Sequence, residues 1–266
     1  MLINRHSHTP IEERLNLLPG GKRLSLSPSK LITYDECKAK FRSVILKEHK
    51  DPPNIYTCIG TAAHYVVEQI NKGVVLSPSD REELLRMKLF ELCAEGDVAV
   101  NFTNGYKESR DVIRSYKIPD GWNFVQGEAL QQLEFVKFTF RYIIDAVFVS
   151  DDGKTLYIVD FKTNAAPPKN PLQLLLYAWA TSIVSPDIRD YNIRSAYYML
   201  RKDKIIYHDV TNETLDETNS YVNTNVDLIE KLFRLEYFPA TPGSGCRFCS
   251  LVNCSERDGS NDRGSY

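Results

Sequence analysis

The stretch that most constrains this chain runs from Phe135 to Ala180 and reads FVKFTFRYIIDAVFVSDDGKTLYIVDFKTNAAPPKNPLQLLLYAWA. From Val136 to Phe148 the even positions hold Val136, Phe138, Phe140, Tyr142, Ile144 and Phe148, while the odd positions include Lys137, Thr139, Arg141 and Asp145. Alternation with a period of two predicts a strand with one buried face. Asp151-Asp152-Gly153 then predicts a turn, and Leu156–Lys162 a second strand. On that strand Ile158, Asp160 and Lys162 share a face, because side chains alternate. A carboxylate and an ammonium therefore sit side by side at the polar end of an apolar strand, and Asp145 can face them from the neighbouring one.

Two carboxylates converging near a lysine suit hard-cation chemistry. Mg²⁺ takes oxygen ligands, usually one or two carboxylates with water and a substrate phosphate. A bound cation lowers the pKa of its water and clamps the phosphate, and a nearby lysine stabilises charge developing on phosphorus. A surface hairpin with ordinary ion pairs would carry the same residues for no such reason. The residues just downstream narrow the choice. Asn170-Pro171 reads as an N-cap with proline at the first helical position, so Gln173 and Tyr177, four apart, share one helix face.

Asp145, the Asp160-Phe161-Lys162-Thr163 segment, Gln173 and Tyr177 together resemble the PD-(D/E)xK nuclease superfamily, and specifically its RecB-like branch. In that branch an upstream glutamate and an upstream histidine complete the site. Gly127-Glu128 and Gly60-x-x-x-His64 lie where those motifs fall, and the resemblance extends from about Ser27 to Cys254. It implies metal binding by His64, Asp145 and Asp160, with Glu128 as a helper and the Phe161 carbonyl as a further ligand. Lys162 would position or activate the attacking water, and Gln173 and Tyr177 would orient the site or the DNA phosphate.

The rest of the chain is consistent with one large domain or a domain with a small appendage, at 266 residues. A net charge of −2 supplies no overall basic signal, so a DNA-binding face must come from local clustering. No apolar run reaches the ~18 residues of a membrane span, and the first residues lack the apolar core of a signal peptide. No membrane partner and a cytoplasmic location are therefore expected, where disulfides are rare. Gly20-Gly21-Lys22 lacks the full spacing of a phosphate-binding loop, so no ATPase motor is expected.

In chain order, 1–23 reads as a polar arm. Ser27-Pro28 opens a helix carrying Tyr34, Cys37 and Phe41. Helices follow over Ile59–Lys72, which holds His64, and Ser77–Glu95. In Asn101–Trp122, Tyr106, Lys107, Arg110, Arg114, Tyr116 and Lys117 suit a DNA-facing helix and a solvated face equally well. Beyond the central stretch, Ile193–Leu200 and Ile205–Val210 read as strands and Thr211–Glu236 as a long helix. Strand, helix, strand in that order predicts a parallel crossover. The expected organisation is a polar arm (1–23), a helical region with the first cluster cysteine and the histidine (24–125), a nuclease core (126–238), a Cys-rich segment (239–254) and a polar tail (255–266).

Of six cysteines, Cys246, Cys249 and Cys254 form C-x₂-C-x₄-C after a loop rich in Pro and Gly. Close-spaced thiolates of this kind can turn inward on one metal centre, and an iron–sulfur cubane commonly takes four. The fourth comes from the resemblance. RecB-like iron–sulfur nucleases place one cysteine far upstream in a Ser-x-Ser-x-Leu-x-x-Tyr-x-x-Cys pattern, matched here by Ser27, Ser29, Leu31, Tyr34 and Cys37. A Cys₄ zinc site is the competing reading. Cys58 and Cys93 read as ordinary buried thiols. A metal clip from residue 37 to 246–254 would close nearly the whole chain, removing roughly 4–5 kcal/mol of loop-closure entropy by analogy with long crosslinks.

The expected fold is therefore α/β: a restriction-endonuclease-like core with a mixed central sheet flanked by helices, a helical region upstream and a C-terminal Cys-rich iron–sulfur clasp. The expected activity is Mg²⁺- or Mn²⁺-dependent exonuclease cleavage of single-stranded DNA or DNA ends, with a [4Fe-4S] cluster. The branch serves recombination, phage replication and CRISPR spacer acquisition, so protein partners from such assemblies are implied. A non-catalytic or redox-regulated DNA-binding subunit of a larger complex is the alternative class, although every expected catalytic residue is present.

Overall fold

The computed structural model describes Leu18, residues 21–47 and 52–243, and Cys246, Cys249, Leu251 and Cys254. Most of the expected polar arm and all of the expected tail at 255–266 lie outside the described residues. In chain order the elements begin with β1 (Leu24–Leu26), α1 (Pro28–Glu36), α2 (Lys38–Leu46), α3 (Ile55–Asn71), α4 (Pro78–Glu95) and α5 (Asn104–Ser115). Then come β2 (Trp122–Gly127), β3 (Leu130–Glu134), β4 (Phe138–Ile143), β5 (Ala146–Ser150) and β6 (Thr155–Lys162). The chain continues with α6 (Leu172–Val184), a 3-10 turn at Pro186–Asp190, β7 (Asn192–Met199), β8 (Lys204–Val210) and α7 (Asn212–Arg234). Two compact bodies result. One comprises Pro52–Gln131 and Tyr142–Asn219; the other comprises residues 21–47, Gln132–Arg141 and the described residues from Ser220 on.

The first body is built on a mixed five-stranded sheet of order β2-β5-β6-β7-β8. β5 and β6 form the antiparallel hairpin expected around residues 151–153, where Gly153 takes a positive φ of 70°. β6 and β7 are parallel, with α6 as the crossover, and β7 and β8 are antiparallel. The odd positions of β6, Val159 and Phe161, join Ala62, Ala63, Val66 and Val67 of α3, Leu85 and Leu89 of α4 and Ile113 of α5 in one core. Side chains of this kind contribute roughly 1.5–3 kcal/mol each when fully buried. The even positions of β6 lie on the other face, where Asp160 and Lys162 meet Gln173 of α6. Cys58 and Cys93 are buried in the helical core, and burial with the Cys58 contact pushes the Cys93 thiol up to about 11.

The second body holds the three-stranded sheet β1-β4-β3, with β1 parallel to β4. Arg23 ties its start to the β3–β4 turn by donating to the Val136 carbonyl at 3.1 Å and the Phe138 carbonyl at 2.9 Å. Lys137 holds the C-terminal half of α7 through Asp227 at 2.7 Å and Glu230 at 2.9 Å.

Several boundaries differ from the sequence reading. The single strand expected over 136–148 is two strands, β4 and β5, which belong to different sheets and part at Ile144-Asp145. Burial still alternates through the break, which is why the pattern conceals it. The helix expected to carry Tyr34, Cys37 and Phe41 is also two, because Cys37 is extended (φ −161°, ψ 115°) between α1 and α2. α3 starts at Ile55 rather than Ile59, opened by a capping box in which Asn54 and Thr57 satisfy each other's amides. α6 starts at Leu172, with Pro171 at the cap position and the Asn170 side chain accepting the Leu172 N–H at 2.8 Å. Tyr106 on α5 and Tyr116 just past its end are buried, and Arg110 and Arg114 pair with Glu82 of α4. Its basic residues thus brace α4, and only part of that helix is a solvated face.

Candidate active site

The site forms at the C-terminal end of β6, within the first body. Asp160 is buried, because alternation turns it inward towards α6. Lys162, two residues on, brings its Nζ to 2.7 Å from Asp160 Oδ2. That contact is an ion pair, and the Lys162 ammonium is the partner of this buried oxygen. Gln173, near the start of α6, bridges the two charges. Its Nε2 donates to Asp160 Oδ1 at 2.8 Å and to Tyr177 Oη at 2.9 Å, and its Oε1 accepts from Lys162 Nζ at 3.0 Å. The four-residue spacing of Gln173 and Tyr177 thus produces the shared helix face expected of it.

Asp145 occupies the break between β4 and β5. Its Oδ2 accepts the Phe161 N–H at 2.7 Å, which fixes the carboxylate one residue from Asp160 and Lys162. His64 of α3 approaches the same oxygen, with Nδ1 at 3.4 Å, and lies 3.7 Å from Glu128 Oε1. Ligand atoms of His64, Glu128 and Asp145 all fall within 4.8 Å of one another. Glu128, given as a helper by the resemblance, thus stands in the group itself, placed just past the end of β2. The Phe161 ring meets the His64 ring edge to face at 6.2 Å. Gly60, one turn before His64, lets α3 come close: a Cβ there would stand 3.3 Å from Thr163 Oγ1.

The electrostatics follow from this crowding. Burial alone would lower the His64 pKa, but the charge and hydrogen bond of Asp145, helped by Glu128 and Asp160, raise it to about 10. Burial and the neighbouring Asp145 push Asp160 up to about 6 against the pull of Lys162 and His64. Tyr177 is pushed well above its ordinary value by burial and by Asp160 and Asp145. Glu128 and Asp145 stand with His64 in one group, and Asp160, paired with Lys162, adds a third carboxylate beside Asp145. The oxygen and imidazole donors of His64, Glu128 and Asp145 fit a divalent hard cation.

Sequence reasoning did not single out Tyr197. Tyr197 pairs in register with Asp160 across β6 and β7 and is 1% exposed. In the sequence it is one of a run of strand aromatics; only the register, which the sequence does not state, sets it beside Asp160.

The cysteines given by the resemblance lie in the second body. Cys37, Cys246, Cys249 and Cys254 are all free and partly exposed. Cys37 makes no capping bond with its side chain. Two residues on, the Ala39 N–H donates to the Pro239 carbonyl at 3.3 Å, at the start of the Cys-rich segment. The Gly243 N–H points at Cys246 Sγ, 3.3 Å away.

The model of the PD-(D/E)XK nuclease superfamily matches residues 25–254 of this chain. Among solved structures, a protein from Eubacterium rectale provisionally named an exonuclease is similar, with a TM-score of 0.52 and 13% identity over 95% of this chain and 92% of that one. A second, SSO0001, gives a TM-score of 0.35 and 10% identity over 89% of this chain and 88% of that one. No curated protein matches the chain in sequence. Among the described residues no helix is long and apolar enough to cross a membrane.

Proposed function

Because the chain belongs to the PD-(D/E)XK nuclease superfamily, whose members use divalent metals, we propose that it is a Mg²⁺- or Mn²⁺-dependent exonuclease on single-stranded DNA or DNA ends, of the RecB-like iron–sulfur type. The observation that carries this reading is the convergence of His64, Glu128 and Asp145 in one group, with the Asp160–Lys162 pair beside it where Asp145 accepts the Phe161 N–H.

In this reading His64, Glu128, Asp145 and Asp160 hold the cation, with the Phe161 carbonyl as a further donor. The cation, when bound, lowers the pKa of a water and draws in a phosphate oxygen. Lys162 holds and orients the attacking water and balances charge developing on phosphorus. Gln173 keeps Lys162 and Asp160 in fixed relation, and its bond to Tyr177 fixes the amide in turn. His64 must lose its proton to serve as a ligand, since only neutral imidazole binds metal.

Cys37, Cys246, Cys249 and Cys254 are proposed as the ligands of a [4Fe-4S] cluster, with zinc the competing occupant of the same thiols. Two observations support a thiolate site here. The Ala39–Pro239 hydrogen bond draws the Cys37 segment to the Cys-rich one, and the Gly243 N–H donates to Cys246 Sγ. Such a cluster would clasp the two ends of the matched region.

The test is digestion of end-labelled single- and double-stranded DNA with Mg²⁺ or Mn²⁺, with and without EDTA, beside an iron and sulfide assay on anaerobically prepared protein. Progressive metal-dependent loss from ends and about four irons per chain are expected. Full activity in EDTA, or none with either metal, overturns the nuclease reading; one zinc and no sulfide overturns the cluster.

A further inference from the structure

We propose that Tyr197 is a positioning residue of the active site, holding the Lys162 ammonium with its ring and the start of α6 with its hydroxyl. The inference rests on the nuclease reading and adds a residue to it. In the parallel register of β6 and β7, Tyr197 stands opposite Asp160 and Met199 opposite Lys162, so Tyr197 projects on the face that carries both charges. The Lys162 Nζ lies 5.7 Å from the Tyr197 ring centroid, inside the range in which a ring face attracts a cation. The ammonium is therefore approached from three sides: by Asp160 Oδ2 at 2.7 Å, by Gln173 Oε1 at 3.0 Å and by the ring. A lysine on a flexible four-carbon stem gains a defined place only from such surroundings.

The other end of the same side chain acts on α6. Tyr197 Oη donates to the Asn170 carbonyl at 3.3 Å. Asn170 in turn caps α6 by accepting the Leu172 N–H at 2.8 Å, one residue before Gln173. A single buried side chain thus touches Lys162 directly and reaches Gln173 through the turn from which it springs. A tyrosine that merely filled the core would need neither contact, and phenylalanine or leucine would serve equally well there.

The experiment compares wild type with Tyr197→Phe, Tyr197→Leu and Lys162→Ala, each shown to be folded by its melting curve. DNA cleavage is measured as kcat and KM with Mn²⁺, and Mn²⁺ binding without DNA by calorimetry. Tyr197→Leu should lose roughly tenfold or more in kcat, since small displacements of catalytic groups are costly. KM for DNA and Mn²⁺ affinity should stay within about threefold, as Tyr197 is not among the metal-binding groups. Tyr197→Phe keeps the ring but loses the bond to the Asn170 carbonyl, so its kcat should lie between those of wild type and Tyr197→Leu, and a wild-type kcat there overturns the role of the hydroxyl. If Tyr197→Leu melts too low to assay, Tyr197→Met takes its place with the same expectation. A second readout needs no activity: the Lys162 side-chain NMR signal, assigned by its loss in Lys162→Ala, should be shifted by the aromatic ring in wild type and Tyr197→Phe and return towards the free lysine position in Tyr197→Leu. Wild-type kcat in a folded Tyr197→Leu protein, or an unchanged Lys162 signal, overturns the role of Tyr197 alone. An inactive wild type overturns the nuclease reading, and this role with it.

Discussion

Replacing Gln173 by leucine should slow turnover about a hundredfold without unfolding the protein. The Gln173 amide makes three hydrogen bonds, to Asp160 Oδ1 at 2.8 Å, Tyr177 Oη at 2.9 Å and Lys162 Nζ at 3.0 Å, and two of these partners are charged. A hydrogen bond to a charged group contributes about 1.5–3 kcal/mol. Taking the lower value for each gives about 3 kcal/mol of lost organisation around Asp160 and Lys162, or roughly 10² in rate at 1.36 kcal/mol per tenfold. Leucine matches the size of glutamine and is at least as good a helix former, so α6 should persist. The assay is single-turnover cleavage of end-labelled DNA at saturating Mn²⁺, with metal affinity measured separately so that lost binding is not read as lost chemistry. Gln173→Glu refines the test. It keeps an acceptor for Lys162 but removes the donor to Asp160 and sets a like charge beside it. It should therefore be as slow as leucine, with its activity profile moved to higher pH. A folded Gln173→Leu protein within about threefold of wild type would refute the reasoning, because the bridge would then not organise the reacting groups.

Asp160→Ala and Lys162→Ala should each lower cleavage at least 10²–10³-fold, as removal of a charge-stabilising group does, while leaving the iron content of the proposed cluster unchanged; near-wild-type rates in either would remove these residues from the chemistry. His64, with its pKa raised to about 10 in the metal-free protein, carries a proton at neutral pH that the metal must displace. Apparent Mn²⁺ affinity should thus climb by up to tenfold per pH unit between about pH 6 and 8, with about one proton released in calorimetry run in two buffers; pH-independent affinity would contradict this. Gly60→Val should push α3 away from Thr163 and carry His64 with it. Gly60→Ala should be milder and be relieved by Thr163→Ala, a coupling that a double-mutant cycle would detect or deny. Cys37→Ser should lose iron and stability, since a hydroxyl replaces a soft thiolate, whereas Cys58→Ser and Cys93→Ser should retain iron; the reverse pattern would reassign the ligands.

Much of the fold was legible where local signals agreed. Ser77 with Pro78 and Asp80, or Ser27 with Pro28, start helices by side-chain bonds to free amides, so α4 and α1 begin where the sequence says. The β5–β6 hairpin arises from alternation and the turn at 151–153. What escaped was set by partners distant in sequence. β1, only three residues long, exists because β4 accepts its register. The break at Cys37 is invisible to helical periodicity, because Tyr34 and Phe41 keep the same buried spacing on either side of it, their rings 5.1 Å apart.

The candidate site shows the same division, and its cause is instructive. Asp160, Lys162, Gln173 and Tyr177 come from one short span, so strand alternation and helix spacing suffice to bring them together. Asp145 is different. Alternation correctly set it on the polar side of its run, but not at a strand end. The chain leaves β4 and joins β5 at this residue, so Asp145 has no ladder partner of its own and its carboxylate is free to accept the Phe161 N–H at 2.7 Å. A residue inside a continuous strand would have its side chain normal to the sheet and could not turn along it to meet His64 at 3.4 Å. The interruption that the sequence pattern concealed is therefore what gives the carboxylate its place. It also explains why His64 and Glu128, from separate elements, reach the same point: the end of β6, beside the gap between two strands, is where α3 and the end of β2 can both approach one oxygen.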